Sequence, residues 1–142
     1  MSARLCYDHP MRYFMVPLLL LVLIAQAADR DLAGRYAGEW KSNNSGASGS
    51  LRMSLELSAG GTWKCEVTFT LEGEEVRTIM RSAKLEQSKL DVSYDFTVQG
   101  MSLRSHITGT WNGKAFDGHY QTTAVESGAA IDDATWNAAR AR

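Results

Sequence analysis

The chain has 142 residues, which favours a single domain, and 15 basic against 16 acidic side chains leave a formal charge of −1. This near-neutral balance, without a basic patch, argues against nucleic acid as a partner. Of the two cysteines, Cys6 lies in a segment that we expect to be removed, so Cys65 would remain alone and no internal disulfide is expected.

Residues 1–27 have the layout of a secretory signal peptide. Arg12 precedes the apolar run 14–24, and Ala25-Gln26-Ala27 matches an A-x-A cleavage site ahead of Ala28. The run is short for a bilayer span, although an uncleaved signal anchor is the alternative. Either Met1 or Met11 is the true start. We therefore expect an exported protein, periplasmic or extracellular, whose residues 28–142 form one domain with no membrane span.

Alternating apolar and polar residues predict strands along the rest of the chain. The first is 34–40, and the clearest pair is 51–57 and 63–71, joined by Gly60-Gly61. Further strands are predicted at 77–86, 89–98, 102–111, 114–123 and 133–140. A helix at 131–139 competes with the last strand. The elements predict an all-β, antiparallel up-and-down barrel of about eight strands, with a two-sheet sandwich as the alternative.

The turns predict which residues face each other. Two-residue turns at 87–88 and 99–100 would pair Leu85 with Leu90 and Phe96 with Leu103. The same kind of turn at Asn112-Gly113 would pair Ile107 with Gly118 inside a curved sheet. Valine in place of Gly118 should then be poorly tolerated.

The register at Asn112-Gly113 would also bring His106 and His119 together on the outer face. Two imidazoles could contribute to a Zn²⁺ site, but a catalytic zinc normally has three protein ligands. No third ligand is predicted beside them. We interpret them as an exposed cross-strand pair and expect no metal or other cofactor.

A row of polar residues is predicted to point into the barrel. The alternation of strand 77–86 directs Arg81 inward, and the registers extend the row through Tyr94, Ser105 and Tyr120. A buried guanidinium needs a partner, which a ligand carboxylate could supply while the hydroxyls complete the site. The favoured alternative is a β-bulge near Met80 that turns Arg81 outward, because bulges are common in curved sheets.

The sequence contains no constellation that predicts catalysis. Ser105 has no predicted acid–base partner, and the G-x-S-x-G nucleophile motif is absent. The acidic turn at 72–75 is interpreted as solvated. We therefore expect a binding protein and not an enzyme.

Gly38-Glu39-Trp40 in the first predicted strand resembles the G-x-W motif of the calycins, the lipocalin and avidin group. In lipocalins that tryptophan plugs one barrel end, and an arginine near the last strand packs over it. The resemblance implies this role for Trp40 and Arg140. It covers 34–140 as a pattern of strands and implies an exported carrier of a small, mostly apolar ligand. The alternative is an envelope or secreted interaction module that binds a protein partner, with a barrel interior filled by its own large side chains.

Overall fold

The computed structural model describes residues 29–142, which form one antiparallel sheet curled into a nearly closed barrel. The strands are β1 (Gly34–Ser42), β2 (Ser48–Leu57), β3 (Trp63–Leu71), β4 (Glu74–Arg77), β5 (Ile79–Glu86), β6 (Lys89–Val98), β7 (Met101–Trp111), β8 (Ala115–Ala124) and β9 (Ala130–Arg140). The sheet order is β4-β3-β2-β1-β9-β8-β7-β6-β5, so the first and last strands are neighbours. The barrel is confirmed, and the helix at 131–139 and the sandwich are wrong. The predicted signal peptide, 1–27, lies outside the described residues.

The predicted strand 77–86 corresponds to β5 together with Arg77, the last residue of β4, which begins at Glu74 within the predicted acidic turn; Thr78 separates the two strands. β4 pairs with β3, whereas β5 pairs with β6, and both run in the same direction along the wall. The Thr78 hydroxyl donates a hydrogen bond to the carbonyl oxygen of Val67 in β3 (2.6 Å). One continuous segment therefore pairs first with β3 and then with β6, which is why the described residues contain nine strands.

Two hairpin registers are confirmed, since the structure pairs Leu85 with Leu90 and Phe96 with Leu103. In the hairpin of β2 and β3, Leu57 pairs with Trp63. The turns at 87–88 and 99–100 have positive φ at both central residues. A two-residue hairpin of this kind twists in the same sense as the strands it joins.

The predicted register at Asn112-Gly113 is wrong by two residues. The loop contains four residues, because the Asn112 side-chain oxygen accepts hydrogen bonds from the backbone N–H groups of Lys114 and Ala115 (2.9 Å each). Ile107 therefore pairs with Tyr120, and Gly118 does not face it. A shift of two residues preserves the alternation, so the predicted faces of these strands are correct although their partners are not.

Gly109 and Gly118 face each other in the wall between β7 and β8, and Gly109 makes room for the Trp136 indole. A β-carbon on Gly109 would lie 2.5 Å from Cζ2 of Trp136. The indole Nε1 donates to the carbonyl oxygens of Thr108 (3.1 Å) and His119 (3.3 Å). The indole therefore lies against the inner wall of the barrel with its N–H satisfied.

The two barrel ends differ. We call the end with turns 58–62, 87–88 and 112–115 the closed end, and the end with turns 43–47, 72–73, 99–100 and 125–129 the open end. At the closed end the rings of Tyr36, Trp111 and Phe116 pack together, with centroids 5.1 to 5.9 Å apart. The Asp29 carboxylate accepts the backbone N–H groups of Gln87 (2.9 Å) and Ser88 (2.8 Å), so the segment before β1 is tied to this end.

Candidate functional site

The barrel interior contains a cavity of about 320 Å³ toward the open end. Most of its lining is aliphatic or aromatic, from Trp40, Leu51, Phe69, Leu71, Phe96, Val98, Leu103, Ile107, Ile131 and Trp136. Polar atoms reach it from Tyr94, Ser105, Tyr120, Thr122 and Asp132. The chemistry is that of a ligand pocket, which is mostly apolar and has a few polar groups that orient the ligand.

The cavity exists because inward side chains differ in size along the barrel. Tyr36, Trp111 and Phe116 fill the closed end. Farther along β7 and β8, the inward positions hold Ser105 and Thr122, whose small side chains leave space between the aromatic walls. The interior is thus filled at the closed end, as the alternative function supposed, but not at the open end.

The structure brings together three members of the predicted polar row. Tyr94 and Ser105 are paired residues, with exposed fractions of 4% and 1%, and Tyr120 reaches the same cavity from β8. The Ser105 hydroxyl lies 2.6 Å from that of Thr122, its actual partner across the β7–β8 ladder. Thr122 was missed because the predicted register placed Tyr120 opposite Ser105.

The fourth member, Arg81, lies outside the barrel, so its inward orientation is corrected. The β5–β6 register shifts between Met80 and Ser82, which leaves Arg81 at a bulge, as the alternative supposed. Its side chain is 54% exposed, and its Nε is 3.5 Å from the Asp95 carboxylate. Arg104 hydrogen-bonds the same carboxylate through two nitrogens (2.7 and 3.1 Å), which is the main cause of the lowered pKa of Asp95.

Asp132 is a charged residue at the cavity that the sequence analysis missed. Its Oδ1 accepts a hydrogen bond from the Ser42 hydroxyl (2.6 Å) and its Oδ2 accepts one from Tyr120 (3.3 Å). The predicted last strand begins at Asp133, which leaves Asp132 just outside it. Extending the alternation backwards from Trp136 through Ala134 would have placed Asp132 inward.

The tyrosines at the cavity are neutral hydrogen-bonding groups. Burial raises the pKa of Tyr94 above its ordinary value. Burial, followed by the negative charge of Asp132, also raises the pKa of Tyr120. Both phenols therefore keep their protons at neutral pH. The Tyr120 hydroxyl donates its proton to Asp132, whereas the Tyr94 hydroxyl can donate to a ligand.

The structure does not bring Trp40 and Arg140 together at one barrel end, as the resemblance to calycins implied. Trp40 does not lie under Arg140: it lines the cavity, and its Nε1 donates to the carbonyl oxygen of Thr70 (3.0 Å). The Arg140 guanidinium lies over Tyr36 (5.5 Å) and Trp111 (5.7 Å) at the closed end. The register explains the difference, because β9 pairs Arg140 with Tyr36 and Trp136 with Trp40.

The two histidines are not opposite each other. His106 pairs with Gln121, and His119 pairs with Thr108, because of the longer loop at Asn112. The His106 ring is instead 2.7 Å from the Asp91 carboxylate. Within residues 29–142 no three His, Cys, Asp or Glu side chains are grouped as ligands for one metal ion.

Comparisons with family models, with curated proteins and with solved structures find no match to this chain. In the described part of the chain, no helix has the length and apolar character needed to cross a membrane.

Proposed function

We propose that the protein is an exported, calycin-like carrier that binds one small, mostly apolar molecule in the open-end cavity. The observation that carries this proposal is the cavity itself, whose 320 Å³ is within the range of about 300–1,000 Å³ found for ligand pockets. A barrel of about eight strands has room for one small ligand when its interior side chains do not fill it. Trp40, in the G-x-W segment, would then contribute to the ligand site.

The chemistry of the cavity favours binding without catalysis. The hydroxyls of Ser105 and Thr122 are hydrogen-bonded to each other. Among residues 29–142, no histidine or lysine lines the cavity as a general base for them. Cys65 is buried in the wall, where burial and the nearby Glu66 raise its pKa to about 12. A thiol with that pKa is a poor nucleophile at neutral pH.

The ligand acid group that the sequence suggested depended on an inward Arg81. Arg81 lies at a bulge outside the barrel, so we do not propose a carboxylic acid as the ligand. The apolar part of the proposal does not depend on that residue, because the aromatic and aliphatic walls supply it.

A second candidate is an interaction module whose open end binds a protein partner. The observation that favours it is the group of exposed apolar side chains near this end: Met101 is 51%, Val125 41% and Ile131 46% exposed. Exposed apolar residues that cluster are typical of interaction sites. The two candidates differ in whether the cavity is occupied.

Titration with N-phenyl-1-naphthylamine, a neutral dye that fluoresces in apolar surroundings, tests the carrier function. The purified domain should bind the dye in a saturable way. Leu103→Trp places an indole in the cavity and should weaken binding about tenfold without lowering the melting temperature, because it occupies existing space.

The matched control is Thr97→Trp, which adds the same indole on the exposed face of β6. This variant should bind the dye like the original protein. Absence of saturable binding, or equal affinity in the Leu103→Trp protein, would reject the carrier and leave the interaction module.

A further inference from the structure

We propose that the ligand is a cation, an apolar molecule whose ammonium group binds Asp132. This inference depends on the proposed function and adds the charge of the ligand to it. It starts from a carboxylate at an otherwise apolar cavity, a feature that a binder of neutral molecules does not require.

Two hydrogen bonds orient the Asp132 carboxylate, and its oxygens can accept further hydrogen bonds from a ligand. Ser42 and Tyr120 donate one hydrogen bond to each of its oxygens, and each oxygen of an ionised carboxylate can accept two. Ser42 is itself held in place, because its hydroxyl accepts the backbone N–H groups of Asn44 and Ser45 (3.2 Å each). None of the ion pairs among residues 29–142 includes Asp132.

The walls beside this carboxylate suit an organic cation. Trp40 and Tyr120 both line the cavity, with ring centroids 6.4 Å apart and ring planes inclined at 69°. An ammonium group near aromatic faces is stabilised by cation–π attraction, most strongly where water is excluded. The carboxylate and the two rings would therefore act on the same charge.

The surroundings disfavour an anion. No Lys, Arg or His in the described part of the chain lines the cavity, so a ligand carboxylate would meet Asp132 with no compensating cation. The charged residues of the open-end turns, Glu72 and Glu126, are both acidic. Charge of one sign around an entrance attracts the opposite ion and repels the like one. The expected order of affinity is ammonium, then neutral alcohol, then carboxylate.

Calorimetric titration at neutral pH with octylamine, 1-octanol and octanoate tests this order, because the three probes share one alkyl chain and differ in charge. Octylamine should bind at least about tenfold more tightly than octanoate. Asp132→Asn keeps the shape of the side chain and removes its charge, so it should abolish the preference while 1-octanol still binds. Asp133→Asn, the exposed neighbour, should leave the preference unchanged.

A second measurement needs no variant. Added salt should weaken binding of octylamine and leave that of 1-octanol nearly unchanged, because salt screens charge and not apolar contact. Binding of 1-octanol together with equal or tighter binding of octanoate, or a preference that survives Asp132→Asn, would overturn the cation site and spare the carrier function. Failure of all three probes to bind would overturn both.

Discussion

At the scale of single residues, glycines decide how closely neighbouring strands approach. A β-carbon on Gly38 would lie 1.8 Å from the carbonyl oxygen of Asn137, and one on Gly118 would lie 1.8 Å from that of Thr108. Each site is occupied by backbone of an adjacent strand, which cannot move aside as a flexible side chain can. Gly38, the glycine of the G-x-W segment, is therefore explained by the close approach of β1 and β9, which leaves no space for a side chain.

Gly118→Ala should destabilise the protein even though it adds a single methyl group. Because the new β-carbon would overlap backbone, we expect a loss of about 1–3 kcal/mol in the free energy of unfolding, measured by urea denaturation. Gly60→Ala is the matched control, since a β-carbon there has no neighbour within 4 Å. Equal stability of the two variants would contradict the close approach of β7 and β8.

At the scale of the elements, the side chain of a turn residue can outweigh a turn motif. Asn-Gly predicts a two-residue hairpin, but Asn112 organises a longer loop by accepting two backbone N–H groups, as asparagine side chains often do in turns. The loop sets the β7–β8 register and so determines that Thr122, and not Tyr120, hydrogen-bonds Ser105. The pairing of polar side chains in the cavity thus depends on a turn at the opposite end of the barrel.

Asn112→Ala should lower the free energy of unfolding by about 1–2 kcal/mol, because two backbone donors lose their acceptor. The Asn112 side-chain amide also donates a hydrogen bond to Asp117 (2.8 Å), and Asn112→Ala removes this contact as well. Asp117→Ala is the control, because it removes only the contact between the two side chains. That exposed control should change the stability by less than about 0.5 kcal/mol. Thermal unfolding followed by circular dichroism measures both, and a larger effect at Asp117 would assign the stabilisation to the surface contact.

At the scale of the whole molecule, the two ends of the barrel differ in packing and surface chemistry. The closed end joins the aromatic cluster, the Arg140 guanidinium and the segment before β1, which Asp29 ties to the turn at 87–88. The open end combines a cavity, an acidic set of turns and exposed apolar side chains. The Tyr36, Trp111 and Phe116 rings fill the closed end, whereas the cavity lies toward the open end.

The mature chain should begin near Ala28 and retain Asp29. Cleavage after residues 25–27 would preserve the Asp29 carboxylate, whose removal would leave the N–H groups of Gln87 and Ser88 without their acceptor. Mass spectrometry of the periplasmic and secreted fractions measures the start directly. A chain that begins at Met1 or Met11 in those fractions would refute the signal peptide.

Much of the fold was predictable because apolar and polar residues alternate along a strand that has one buried and one exposed face. The alternation from Leu90 to Val98 identifies the inner face of β6, and the turn at 99–100 places Phe96 opposite Leu103. These features depend on residues close in the chain. The same pattern placed Tyr94, Ser105 and Tyr120 inside the barrel, where they line the cavity.

The sequence by itself determined the strand faces, most turns and the antiparallel order, because alternation and turn chemistry act over a few residues. Only the tertiary structure decided the bulge that turns Arg81 outward, the loop at Asn112, and the position of Asp132 beside Ser42 and Tyr120. The bulge is a one-residue irregularity that alternation does not reveal, and the contacts of Asp132 join segments distant in the chain. The loop at Asn112 follows from local hydrogen bonds to one side chain, which compete with the two-residue turn that Asn-Gly predicts. Extended alternation would place Asp132 inward, but only the barrel, which brings β1, β8 and β9 together, gives its carboxylate the partners Ser42 and Tyr120.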